Sequence, residues 1–133
     1  MKAVLSVVGL LFAVFVALSI ITGTSLVGEV VTLHTRGADG EWETTPLWVV
    51  DLGKASYLRA GNPASGWVIR GRANPEIRLE RSGDVADIKL VEEPTELANV
   101  HAQMAEKYGW ANDFVGLLAP DRSLALSLRI EPL

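Results

Sequence analysis

Residues 30–60 read VVTLHTRGADGEWETTPLWVVDLGKASYLRA, and this stretch decides the fold. From Val30 to Thr35, apolar and polar residues alternate well enough to predict a strand, because successive strand side chains point to opposite faces. Ala38-Asp39-Gly40 supplies a turn, and Thr45 to Val50 is apolar and rich in β-branched residues, so the two runs predict a hairpin. Leu52-Gly53-Lys54 turns the chain again into a third strand, Ala55 to Ala60.

Outward from this core, Gly61-Asn62-Pro63-Ala64-Ser65-Gly66 predicts a loop, and Trp67 to Arg72 a short helical turn. Strands are expected over Glu76 to Arg81 and Val85 to Glu92, joined at Ser82-Gly83-Asp84. Pro94 suits a first helical turn. Leu97, Val100, His101, Met104, Ala105 and Tyr108 then recur at helical spacing until Gly109 stops the helix. A last strand is expected over Leu124 to Ile130. Six strands with one helix after the fifth predict a small, mainly β barrel over residues 29–133 rather than alternating βαβ units.

Towards the N-terminus, Ala3 to Val27 carries no charged residue. A helix needs about 20 apolar residues to cross roughly 30 Å of hydrocarbon. The apolar core from Val4 to Ile21 is longer than a signal peptide requires, and Thr22-Gly23-Thr24-Ser25 is not an Ala-x-Ala cleavage site. Residues 1–28 are therefore expected to form a retained single-pass anchor. Lys2 before the span and Glu29 after it place the N-terminus in the cytoplasm and the soluble domain in the periplasm of a bacterial inner membrane. Gly9, Ala13 and Ala17 recur every four residues, a small-residue stripe on which a second membrane helix can pack.

The chain has 133 residues and a formal net charge of -4, a balance that repels phosphate backbones and excludes nucleic acid as a partner. Arg59, Arg70, Arg72, Arg78 and Arg81 are interleaved with acids; Arg59 and Arg70 are candidates to reach a phosphate, and pairing with nearby carboxylates is the role expected of them. His34 and His101 are the only histidines and lack metal-site spacing, and no nucleophilic triad is spaced for catalysis. With no cysteine, the chain carries no mark of its redox compartment.

Thr44-Thr45-Pro46-Leu47-Trp48 after a turn, then Tyr57-Leu58-Arg59, Gly61 and Trp67, then Arg72-Ala73-Asn74-Pro75, resembles the split β-barrel superfamily of pyridoxamine-phosphate-oxidase-like and deazaflavin-dependent proteins. Lys107-Tyr108 resembles the end of the later helix in a bacterial branch of that superfamily. The resemblance implies a six-stranded split barrel with a flavin mononucleotide or deazaflavin site, and pairing of the barrel with a second copy. Arg36, Thr44, Thr45, Trp48, Arg59 and Trp67 are the residues it implies for the cofactor. In the deazaflavin branch the turn before the Thr-Thr-Pro strand carries several basic residues for the phosphate. Here Arg36 stands alone before Asp39, Glu41 and Glu43, which repel an anion. Two readings follow. One is an accessory subunit without a cofactor, docked on a larger membrane assembly through its anchor; the other is a membrane-tethered flavin- or deazaflavin-dependent oxidoreductase acting on a small or quinone-like acceptor.

Overall fold

The computed structural model describes residues 28–118 and 124–133. Six antiparallel strands close into a barrel: β1 (Val30–Arg36), β2 (Trp42–Leu52), β3 (Ala55–Ala60), β4 (Ile77–Arg81), β5 (Asp84–Glu92) and β6 (Leu126–Pro132). Their order around the barrel is β1-β2-β3-β6-β5-β4. The mainly β reading of the sequence holds, and the bounds of β3 are those the pattern predicts.

The expectation of one helix is corrected. Helices α1 (Gly66–Ala73), α2 (Leu97–Tyr108) and α3 (Trp110–Leu118) are present, with a 3-10 turn at Pro94–Glu96 before α2. Gly109, at φ 54, does end α2, but the chain restarts a helix at once, and Asn112 and Asp113 donate backbone N–H groups to the Gly109 carbonyl. A glycine stop signal says where one helix ends, not that another cannot follow.

Strand β2 is the split stave. Its residues Trp42 to Trp48 pair with β1, whereas Val49 to Leu52 pair with β3. Pro46 lies in the first half opposite Thr32, where one edge of β2 has no strand neighbour and a missing N–H is tolerated. Between β4 and β5 the turn runs through Ser82 (φ 51) and Gly83 (φ 83), two left-handed residues whose twist matches a tight hairpin.

Alternation on β2 and β3 builds two cores. Val49 and Leu58 point into the barrel with Val31, Leu33, Ile77, Leu79, Ile88 and Leu128, while α1 plugs this interior with Trp67 and Val68. Their neighbours Val50 and Tyr57 point the other way, beneath Val100, Met104 and Tyr108 of α2. The single-residue offset thus binds a helix outside the barrel to the same strands that fill it.

Among the described residues no helix is long and apolar enough to cross a membrane. The expected anchor, including Gly9, Ala13 and Ala17, lies outside the described residues apart from Gly28.

Candidate functional site

Helix α1 buries Trp67 and Val68, which turns Arg70 towards β1 and the first half of β2. There its Nε donates to Thr35 Oγ1 at 2.9 Å and a terminal nitrogen to Thr45 Oγ1 at 3.5 Å. Thr35 occupies an inward position of β1 and is fully buried, with Val31 and Leu33 on the same face. Gly66 leaves room for the guanidinium: a Cβ there would stand 2.8 Å from an Arg70 terminal nitrogen. Among the described residues Arg70 has no carboxylate partner, so a half-buried cation is held by neutral hydroxyls alone. Such a charge has lost part of its hydration without gaining a counter-ion, the condition that favours an incoming anion. The expected pairing of Arg70 with a nearby acid is not found among the described residues.

The other implied cofactor residues are spread over the molecule, and only Thr45 joins this group. Arg36 is engaged elsewhere: it donates to both carboxylate oxygens of Glu76 at 3.3 Å and to the Gly40 carbonyl at 2.9 Å, and stacks 3.9 Å over Trp42. Thr44 is exposed on β2 opposite His34. Trp48 stacks on Tyr108 and Trp67 packs in the barrel core. Arg59 reaches α2 and α3, lying 3.1 Å from His101 Nδ1 and donating to Asn112 Oδ1 at 2.9 Å. Asp39, Glu41 and Glu43 are exposed on the β1–β2 turn, where Asp39 Oδ1 accepts the Glu41 N–H. The residue that sequence reasoning missed is Thr35. A polar residue at a core position of an alternating strand was a readable signal.

A separate cleft of about 110 Å³, lined by none of Arg70, Thr35 and Thr45, lies between Trp67, Val68, Gly71 and Arg72 of α1 and Leu90, Glu92 and Leu128 of β5 and β6. Arg72 and Glu92 form an ion pair at its edge. Sites that enclose drug-sized ligands are about 300–1,000 Å³, so this cleft takes a small group and not a fused ring system.

A second charged cluster is internally balanced. Arg81 donates to Glu29 at 2.8 and 3.0 Å and to Asp51 at 2.9 and 3.1 Å; Lys107 Nζ reaches Glu29 at 2.8 Å. Arg81 and then Ser56, by hydrogen bonding, hold the Asp51 carboxyl down at about 2; Arg81, with Lys107, also lowers Glu29. Two acids and two bases close on one another, and the result ties the start of β1 to β2, β4 and α2. Among the described residues no cluster of His, Asp or Glu could hold a metal ion.

No protein-family model matches the sequence, and no curated protein matches it. Solved structures share its fold. A conserved hypothetical protein from Mycobacterium tuberculosis superposes with a TM-score of 0.59 at 20% identity, over 86% of this chain and 79% of that one. An F420-H2 dependent reductase superposes at 0.58 and 24% identity, over 77% and 93%. HutZ, the haem storage protein of Vibrio cholerae, superposes at 0.57 and 17% identity, over 78% and 81%. These likenesses establish the fold as the split barrel shared by F420-dependent reductases and pyridoxamine-phosphate-oxidase-like proteins.

Proposed function

We propose that this chain is a membrane-tethered oxidoreductase of the split-barrel type, binding a flavin or deazaflavin through the cofactor's phosphate. The observation that carries the reading is Arg70, half-buried and held, among the described residues, by the hydroxyls of Thr35 and Thr45 alone. An anion there gains a charge-assisted hydrogen bond to guanidinium, and the two threonines set its orientation. The lack of a side chain at Gly66 lets the guanidinium lie against the α1 backbone in this position. When bound, such a cofactor would supply a ring that takes up hydride and passes it to the acceptor. The chain's own contribution is to hold the anionic end and to keep water from the apolar strand faces beside it. Arg70, Thr35 and Thr45 account only for the anionic end, so a second copy of the barrel is proposed to complete the site. That an F420-H2 dependent reductase shares the fold supports the reading.

The accessory-subunit reading draws on one observation: Arg36 is spent on Glu76 and Trp42, and three exposed carboxylates line the adjacent turn. Fluorescence titration of the full chain in detergent with flavin mononucleotide and with coenzyme F420 separates the two. Micromolar binding, about -8 kcal/mol, that weakens about tenfold in Arg70→Gln supports the oxidoreductase. Absence of binding to either cofactor, with other membrane subunits co-purifying, supports the accessory role. The tether itself is checked by the intact mass of protein extracted from native membranes; a mature N-terminus near Ser25 or Leu26 would mean that the apolar segment is removed.

A further inference from the structure

Helix α3 presents an apolar stripe outward. Trp110, Phe114 and Leu117 stand at i, i+4 and i+7, on one side of the helix. Trp110 is 57% exposed and Leu117 78%, with Phe114 half-buried between them. The opposite side holds the fold: Ala111 and Asn112 are buried, and Asn112 Oδ1 accepts from Arg59 at 2.9 Å. A surface helix in water ordinarily turns its large side chains inward. Here a buried polar anchor fixes the opposite rotation, and large apolar residues grouped on a surface mark a binding face.

The position of the chain's entrance says what that face meets. Gly28 packs directly on the Tyr108 ring, so closely that a Cβ would lie 2.7 Å from ring carbons. Tyr108 is the last residue of α2, and α3 begins two residues later at Trp110. Immediately before Gly28 lies the charge-free run Ala3 to Val27. The apolar run therefore joins the domain beside the start of α3.

We infer that α3 is an interfacial helix, with the exposed Trp110 and Leu117 seated in the headgroup boundary of the bilayer that residues 3–27 enter. The inference rests on that run being membrane-embedded. Tryptophan suits the position, since its ring is apolar while its N–H stays near water. Asp113 flanks the stripe and the chain's net charge is -4, so contact is driven by apolar area and does not need anionic lipid.

The absence of cysteine allows single labels on the full chain. Leu117→Cys, Ala13→Cys and Val85→Cys, the last on an exposed residue of β5, are each labelled with a polarity-sensitive fluorophore. Each is then reconstituted in phosphatidylcholine vesicles containing doxyl-labelled lipid. Residues 13 and 117 are expected to be quenched by the lipid several-fold more than residue 85. Quenching at 13 with equal, low quenching at 117 and 85 overturns the interfacial helix while leaving the anchor intact. Protection of 117 from aqueous iodide without lipid quenching also overturns it, and assigns the face to a second copy or another protein. Lack of lipid quenching at all three sites removes the anchor and the inference together.

Discussion

The indole of Trp48 lies flat on the ring of Tyr108, their centroids 4.3 Å apart and their planes 6° from parallel. This stack fastens the end of α2 to the split stave of the barrel. It also gives one face of Trp48 to the protein itself. The Tyr108 hydroxyl completes the join: it accepts the Val49 N–H at 3.1 Å and lies 2.6 Å from the Glu29 carbonyl and 2.8 Å from that of Val49.

Removing only that hydroxyl isolates its contribution. Tyr108→Phe keeps the stack but leaves the buried Val49 N–H without its hydroxyl partner, and is expected to cost about 1–3 kcal/mol. Tyr108→Ala loses the ring as well and should cost about 3–5 kcal/mol. Denaturant midpoints of the two variants, with unchanged m-values, check the order.

Alkali should act through the same residue. Burial pushes the Tyr108 phenol from 10.0 up to about 12, so between these values the unfolded chain has released a proton that the folded chain retains. Stability conferred by the neutral phenol is complete below pH 10 and declines as pH rises towards 12. Thermal melts across that range should fall more steeply in the wild type than in Tyr108→Phe.

Acid should open the balanced cluster. Asp51 is held at about 2 against an ordinary 3.8, and Glu29 lies below its ordinary 4.5. Below about pH 5 the unfolded chain therefore binds more protons than the folded one, and stability falls as pH drops towards 2. Asp51 is about half exposed, so water screens its share. Arg81→Met should lower the melting temperature at pH 7 and flatten its decline between pH 5 and 3, which melts at stepped pH values would register.

Much of this was legible in the sequence where contacts are local. Val31, Leu33 and Thr35 alternate inward as the pattern of β1 requires, and Val100, Met104 and Tyr108 form the buried face of α2 as their spacing predicts. The site was less legible because its parts meet only through closure. Thr35 and Arg70 are 35 positions apart, and nothing near Arg70 in sequence shows that α1 turns it towards hydroxyls rather than an acid of the described residues. Helix α3 escaped notice because the Gly109 stop preceded it and two of its large apolar residues, Trp110 and Leu117, face outward rather than towards a core.

Thr35→Val tests the Arg70 cradle directly. Loss of the hydroxyl removes the closer of the guanidinium's two threonine acceptors, and should destabilise the fold by about 1 kcal/mol. A double-mutant cycle with Arg70→Gln should give a coupling energy of about 0.5–3 kcal/mol. Additive effects on the unfolding midpoint would show that the two side chains act independently.

Strand β6 lies between β3 and β5, pairing Ser56 to Ala60 on one side and Ile88 to Glu92 on the other. Every other stave precedes it in the chain. During synthesis, β3 and β5 must therefore wait with open edges until β6 leaves the ribosome, because neither has another partner for that side. The barrel is thus assembled by its final stave. A stop placed shortly before Leu126 would release chains whose two bare edges pair with one another's, whereas the full-length product closes its ring.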